Sequence, residues 1–210
     1  MNKLLTELIG TFFLVLTIGL VVSSGTPLGA LAIGSVLVVM VYMGGHISGA
    51  HYNPAITLGV MMRGKIERGE ALQYMVAQVV GAILAAFVSL HVTGGDTFAP
   101  APGAGASTIQ VLLAEFLFTF ALVLVVLQTA TNEKTAGNSY FGLAIGFTVM
   151  VGAFAVGDIS GGAFNPAVGI GSTLVNATMG SGGFGDLWFY LVGPFAGGAL
   201  AAVVYKIQSA

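Results

Sequence analysis

The polar residues that stand out in this chain lie in a short stretch that occurs twice. Residues 45–55 read GHISGAHYNPA and residues 157–167 read GDISGGAFNPA, with seven of the eleven aligned positions identical. An Asn side chain accepts hydrogen bonds from the free N–H groups at the start of a helix, and Pro suits the first helical position. Each copy therefore predicts a helix that starts at its Asn-Pro-Ala box, which consists of Asn53, Pro54 and Ala55 in the first copy and Asn165, Pro166 and Ala167 in the second.

The chain around these boxes is strongly apolar. It has 210 residues, of which 56% are hydrophobic and only 7% are charged, whereas a soluble domain carries about 25% charged residues. A chain of this composition needs lipid as its solvent. The absence of cysteine excludes disulfides and thiolate chemistry. With a net charge of -2 and no basic run, the chain gives no indication of a nucleic-acid partner.

The apolar segments predict an all-α membrane protein. A membrane-spanning helix needs about 20 mostly apolar residues. The segments that meet this requirement are 4–23, 28–44, 70–92, 108–130, 139–157 and 187–206. Two further apolar stretches, 53–62 and 165–179, begin with the Asn-Pro-Ala boxes and are too short to span. We therefore expect six transmembrane helices and two re-entrant half-helices.

The charged residues predict how these helices are oriented. If the N-terminus is cytoplasmic, every Lys and Arg falls on the cytoplasmic side, as the positive-inside rule requires. These residues are Lys3, Arg63, Lys65, Arg68, Lys134 and Lys206. Asp96, Asp158 and Asp186 then fall outside. This orientation places both termini in the cytoplasm, and it has the two half-helices enter the membrane from opposite sides.

The duplication divides the single domain, 1–210, into two repeats. The context of Glu7 in the first predicted helix resembles that of Glu115 in the fourth. We therefore assign 1–92 to the first repeat, 93–107 to an extracellular connecting loop and 108–210 to the second repeat. Because each repeat has an odd number of spans, the second is inserted upside down, which gives an inverted 3+3 repeat.

Inversion brings the two half-helix starts together near the middle of the membrane. Each start carries the positive end of a helix dipole. Irregular backbone at this depth requires a protein or water-filled environment, and the amide N–H groups of Asn53 and Asn165 are expected to point into such a cavity. The pattern predicts a narrow pore that passes neutral, hydrogen-bonding molecules and repels cations and protons.

These features resemble the aquaporin / aquaglyceroporin (major intrinsic protein) family over essentially the whole chain. The resemblance rests on the two Asn-Pro-Ala boxes, the Gly-His-Ile-Ser-Gly run that starts at Gly45, and the acids Glu7 and Glu115. It implies a passive channel, not an enzyme, that needs no cofactor or metal and forms a homotetramer in the cell membrane with one pore per subunit. It also implies that Glu7 and Glu115 hold the backbones of the re-entrant loops, and we expect His46 to support its loop or to act as a cytoplasmic gate.

The resemblance also identifies a selectivity filter in which this chain departs from the family pattern. The four filter positions are Ile33, Ala153, Gly162 and Val168. Water-selective members typically combine an aromatic residue, a His and an Arg there, and the Arg position is Val168 in this chain. We expect a wide, apolar and uncharged filter. It favours glycerol-like polyols, urea-like amides and metalloid hydroxides such as arsenous acid, together with water.

Other interpretations of these residues remain open at this point. A channel that conducts mainly water is the first alternative. A secondary transporter also uses inverted repeats, but apart from Glu7 and Glu115 the spans offer no cluster of ligands. An intramembrane enzyme would need a nucleophile with a base or a set of metal ligands. His46 and His51 lack a third metal ligand nearby, and Asp158 is either a solvated loop charge or part of an outer vestibule.

Overall fold

The computed structural model describes residues 1–209, which form α-helices and one short 3-10 helix. The α-helices are α1 (Asn2–Ser24), α2 (Gly29–Ser48), α3 (Pro54–Met62), α4 (Arg68–Val92), α5 (Thr108–Ala130), α6 (Phe141–Ser160), α7 (Pro166–Met179) and α8 (Phe189–Gln208). The 3-10 helix, Glu133–Thr135, lies in the connection between α5 and α6.

The helices follow the predicted order of two long, one short and one long, which occurs twice. Across residues 1–209, six helices are long and apolar enough to cross a membrane. The remaining two, α3 and α7, have 9 and 14 residues and start directly after Asn53 and Asn165. The predicted fold class is therefore confirmed, and the protein is a multi-pass membrane protein.

Two helices, α2 and α6, continue about one turn further than the sequence predicts. The spans predicted to end at 44 and 157 extend as α2 to Ser48 and as α6 to Ser160. Each ends at a left-handed glycine, Gly49 with φ 87° or Gly161 with φ 82°. A left-handed glycine after the last turn is a common helix stop. The repeated stretch thus begins inside a helix, and only its second part forms the re-entrant loop.

The two repeats are interlocked. The first half-helix, α3, packs mainly against α8 of the second repeat, and α7 packs mainly against α4 of the first. The long helices pair as α1 with α4, α5 with α8 and α2 with α6. Small residues permit the close approaches, since Gly81 faces Leu8 O of α1 and Gly197 faces Phe116 O of α5. Each half-helix is therefore enclosed by helices from both repeats.

Opposite charges meet at one end of the helical bundle. Lys3 at the start of α1 pairs with Glu70 at 2.9 Å, and Lys65 lies 3.8 Å from Glu133. We call this the cationic end, which comprises Lys3, Arg63, Lys65, Arg68, Lys134 and Lys206. At the opposite end, Asp96 accepts a hydrogen bond from Ser23 at the end of α1.

Candidate functional site

The two Asn-Pro-Ala boxes cap the half-helices as the sequence predicts. Asn53 Oδ1 accepts a hydrogen bond from Ala55 N at 2.8 Å, and Asn165 Oδ1 accepts one from Ala167 N at 2.9 Å. Both Asn residues are extended, with φ -157° and -153°, and each Pro occupies the first helical position. The side-chain oxygens thus satisfy otherwise free N–H groups of the first turn.

The amide nitrogens of the same residues join the two half-helices. Asn53 Nδ2 donates to Phe164 O at 2.8 Å, and Asn165 Nδ2 donates to Tyr52 O at 3.0 Å. One N–H of each amide is therefore engaged in this crossed pair, whereas the sequence predicts that these N–H groups point into the cavity. The remaining N–H of each amide is the one left for the adjoining cavity.

The junction concentrates positive electrostatic potential. The N-terminal ends of α3 and α7 contact each other, and each carries roughly half a positive charge from its helix dipole. The side chains that line the larger cavity around them are uncharged, including Asn53, Asn165 and Tyr52. The carboxylates of Glu7 and Glu115 do not line this cavity and bind the N–H groups of the loops before the boxes. A cation at this position would be repelled, whereas a neutral solute with a hydrogen-bond acceptor would find an amide N–H.

Glu7 holds the loop that leads into the first box. Its buried carboxylate accepts hydrogen bonds from Ser48 Oγ at 2.6 Å, His51 N at 3.0 Å, Tyr52 N at 2.7 Å and Gln78 Nε2 at 2.8 Å. Tyr52 has a φ of 51°, a left-handed conformation that a bulky residue rarely adopts. The carboxylate thus fixes a strained backbone by binding its N–H groups.

Glu115 does the same for the loop before the second box. It accepts from Ser160 Oγ at 2.8 Å, Ala163 N at 3.0 Å and Phe164 N at 2.7 Å. Phe164 is also left-handed, with φ 48°. The α8 residue that corresponds to Gln78 is Pro194, so this carboxylate lacks the amide donor. These contacts give Glu7 and Glu115 the loop-holding geometry that the family resemblance implies.

The structure does not place His46 among these contacts. His46 lies in the last turn of α2, where it is exposed and forms no hydrogen bond with any residue in 1–209. The buried histidine of the same loop is His51, whose Nδ1 lies 3.1 Å from Thr57 Oγ1. The supporting role predicted for His46 thus belongs to His51, because the longer α2 turns His46 away from the loop.

Two cavities have a lining residue in common close to the half-helix starts. The larger, of about 520 Å³, extends from the two box Asn residues to the opposite end, and no Lys, Arg, Asp or Glu in 1–209 lines it. The smaller, of about 280 Å³, lies at the cationic end and is lined by Lys3, Lys65 and Glu70. His51 lines both cavities and marks the point where they adjoin. The two cavities form a path along the bundle, and we call its part at the starts of α3 and α7 the waist.

The predicted filter residues gather on the wall of the larger cavity. Ile33, Ala153, Gly162 and Val168 all line it, and none offers a charged or hydrogen-bonding side chain. Gly162 has a left-handed φ of 62°. A Cβ at Gly162 would lie 3.5 Å from Ala153 Cα, so these two residues form one surface. The structure thus places the four positions that the family resemblance identifies on the wall of one cavity.

Asp158 takes a different position from these residues. It is exposed near the end of α6 and does not line the larger cavity, although its neighbour Gly157 does. This location favours the interpretation of Asp158 as a solvated charge over that of a pore-lining charge.

Several contacts at the site were missed by sequence reasoning. Tyr74 donates to Ser48 O at 2.9 Å and Tyr190 to Ser160 O at 2.7 Å. Gln78 lies one turn after Tyr74 on the same face of α4, and such a polar pair in an apolar helix was the available signal. The loop residues 98–101, which line the larger cavity, carried no comparable signal in the sequence.

Comparison with known proteins agrees with the fold. The family model described as Major intrinsic protein matches residues 1–205. Aquaporin NIP1-4 of Oryza sativa subsp. japonica is 37% identical over 99% of this chain and 77% of its own length. Probable aquaporin TIP2-2 of Arabidopsis thaliana is 39% identical over 84% of this chain and 69% of its own length.

The solved structures include the same architecture. The crystal structure of the aquaglyceroporin from Plasmodium falciparum superimposes with a TM-score of 0.87, at 21% sequence identity, over 98% of this chain and 95% of that one. With the family match, the paired boxes and the two adjoining cavities, these similarities show that the chain belongs to the major intrinsic protein family and is a passive membrane channel for water or small solutes, not an enzyme.

Proposed function

We propose that this channel conducts small neutral solutes, such as glycerol-like polyols and metalloid hydroxides of the arsenous acid type, together with water. The observation that carries the proposal is the composition of the filter. Ile33, Ala153, Gly162 and Val168 line the larger cavity without one charged or hydrogen-bonding side chain among them. A filter of this kind is suited to solutes that carry apolar as well as polar surface.

The physical basis is the cost of desolvating a solute in an apolar constriction. A polyol can place its carbon skeleton against Ile33 and Val168 and keep hydrogen bonds through its hydroxyls, whereas an ion would lose hydration with no compensating partner. Exclusion of cations then depends on the positive half-helix ends near Asn53 and Asn165. The site thus separates solutes by charge at the waist and by size at the filter.

The surroundings of the channel complete the proposal. The cationic end faces the cytoplasm, together with both termini, in a cell membrane, as the positive-inside rule favours. Four copies assemble into a homotetramer with one pore each. Large apolar side chains on the outer faces of the long helices, such as Leu72, Val76 and Phe154, are exposed and suit contact with lipid or with another copy.

Stopped-flow light scattering on proteoliposomes tests the proposal, with water, glycerol and arsenous acid as permeants. We expect measurable flux of both solutes and modest water flux. Val168→Arg should lower the glycerol and arsenous acid fluxes about tenfold, an activation cost of about 1.4 kcal/mol, because the side chain narrows the filter. Val168→Leu, which stays apolar and adds little volume, is the matched control. Fast water flux with neither solute passing would overturn the proposal.

A channel that conducts mainly water is the second candidate. The names of the rice and Arabidopsis relatives, which are aquaporins, favour it. The same experiment distinguishes the two, since a water channel would show little solute flux before any substitution is made.

A further inference from the structure

The connecting loop between the two repeats forms part of the wall of the larger cavity. We call residues 98–103 the strap. Phe98, Ala99, Pro100 and Ala101 line the cavity together with the filter residues. The strap therefore lies on the solute path, although it belongs to neither the half-helices nor the spans.

The strap is fixed at several points. Just before it, Thr97 Oγ1 donates to Asn176 Oδ1 of α7 at 2.8 Å. Phe98 is only 8% exposed and packs where Gly19 of α1 and Ser89 of α4 leave room for its ring. These contacts join the strap to three helices, which indicates a fixed wall and not a freely moving loop.

The other end of the strap is fixed to the end of α6. Gly103 N donates to Ile159 O at 3.0 Å and so satisfies a carbonyl in the last turn of that helix. A Cβ on Gly103 would overlap Asp158 O, a backbone atom that has no rotamer to change. Only glycine therefore allows the strap to approach α6 this closely.

The same approach brings the strap against the filter backbone. Gly161 follows α6 directly and precedes the filter residue Gly162. A Cβ on Gly161 would lie 2.9 Å from Ala101 N and 3.1 Å from Pro100 Cα. The strap and the filter segment are thus in backbone-to-backbone contact, and a shift of one must move the other.

We propose that the strap is a further specificity determinant of the channel, in which Ala101 limits the size of the solute and Gly103 positions the strap against the filter. The inference rests on the proposed function, because it takes the larger cavity as the route of neutral solutes. Ala101 provides the wall that faces the apolar filter. Gly103 acts through the end of α6 and touches no solute.

The test compares the xylitol-to-glycerol permeability ratio in proteoliposomes. A ratio does not depend on how much folded channel is present, so a merely structural defect, which lowers both fluxes together, leaves it unchanged. Ala101→Leu should lower the ratio by about threefold or more because the added side chain narrows the cavity. Gly103→Ala should raise it by a similar factor because the strap is displaced from α6.

Matched controls exist for both substitutions. Ala104→Leu makes the same change in the same loop at an exposed residue that does not line the cavity. Gly185→Ala makes the same change in an outer loop where a Cβ would meet nothing within 4 Å. Both controls should keep the wild-type ratio. If Gly103→Ala fails to fold, Ala101→Leu still decides the question.

Two different failures are distinguishable. In the first, Ala101→Leu leaves the xylitol-to-glycerol permeability ratio unchanged, while Val168→Arg lowers the glycerol flux. This result overturns the proposed role of the strap and leaves the proposed filter intact. In the second, Val168→Arg leaves the glycerol flux unchanged, while Ala101→Leu lowers the xylitol-to-glycerol permeability ratio. This result overturns the proposed filter and supports the proposed role of the strap.

Discussion

Asn53 Nδ2 donates a 2.8 Å hydrogen bond to the carbonyl oxygen of Phe164, which links the first box to the residue before the second. The contact spans both repeats and lies at the waist of the channel. It shows that the box Asn residues fix the position of the two half-helices relative to each other, in addition to capping their own helices.

Replacing Asn53 by Asp tests this link. Asp keeps the helix cap but cannot donate to Phe164 O, and a buried carbonyl left without a donor costs about 1–3 kcal/mol. We expect a lower melting temperature and reduced glycerol flux. Asn165→Asp should have the same effects, because it removes the donor to Tyr52 O. Asn132→Asp, at a half-buried cap near the cationic end, is the control, because the acceptor that loses its donor there is the side-chain oxygen of Gln128, which can turn to solvent. A wild-type melting temperature in both box variants would contradict the proposed link.

The amide of Gln78 offers a second test. Its Nε2 donates to Glu7 Oε2 at 2.8 Å and to Thr57 Oγ1 at 2.9 Å. Gln78→Leu keeps the volume but removes a donor from a buried carboxylate, a loss of about 1.5–3 kcal/mol. The melting temperature should fall by about 2–4 °C for each kcal/mol. Gln73→Leu, on the exposed face of the same helix, should leave it unchanged. Equal effects of the two substitutions would count against the Gln78 network.

The close contact of α1 with α4 at Gly81 gives a third prediction. A Cβ there would lie 2.5 Å from Leu8 O, so Gly81→Ala must push the two helices apart. We expect a destabilisation of about 1–3 kcal/mol, read as a lower melting temperature. Gly69 lies in the first turn of α4, where a Cβ would meet no atom within 4 Å, so Gly69→Ala should be neutral or slightly stabilising. The packing argument fails if both variants melt alike.

The two tyrosines that bind the ends of α2 and α6 should differ in their functional effects. Tyr190→Phe removes the donor to Ser160 O, and Tyr74→Phe removes the donor to Ser48 O, each worth about 1 kcal/mol. Both should lower the melting temperature by a similar amount. The loop after Ser160 contains the filter residue Gly162, whereas the loop after Ser48 contains no filter residue. We therefore expect the xylitol-to-glycerol permeability ratio to change in Tyr190→Phe and to stay constant in Tyr74→Phe. The opposite pattern would place the size limit in the first loop.

Asp158→Asn is expected to leave solute flux unchanged. The carboxylate is exposed and does not line the larger cavity, and glycerol carries no charge on which it could act. Glycerol flux measured from mildly acidic to mildly alkaline pH should therefore match that of the wild-type channel. If the glycerol flux of Asp158→Asn depended differently on pH or on cations, Asp158 would instead be part of the outer vestibule.

The repeated stretch was sufficient to predict the helices and the position of the waist. An Asn-Pro pair indicates the start of a helix from local sequence alone, and the length of an apolar run indicates how far the helix extends. The starts of α3 and α7 were therefore predicted to within one residue. The ends of α2 and α6 were placed too early, at Gly44 and Gly157, beside the start of the repeated stretch. Within the membrane, those glycines remain helical.

The partners of Glu7 and Glu115 could not be predicted in full. Their hydrogen bonds reach residues more than forty positions away, and spacing alone does not say which side chains meet across helices. His51 was weighed with His46 as a pair, although only His51 is buried. The strap was predicted only as part of the connecting loop 93–107, because its contacts with α6 involve backbone atoms that carry no sequence signal.

The interlocking of the repeats has a consequence for how the channel is made. Since α3 packs mainly against α8, the first half-helix lacks its main neighbour until the final helix has been synthesised and inserted. The loop that contains Asn53 is also joined to the second repeat by its bond to Phe164. A chain that ends after α4 therefore lacks both the main neighbour of α3 and the acceptor of the Asn53 amide, so the first repeat is completed only when the second has been inserted.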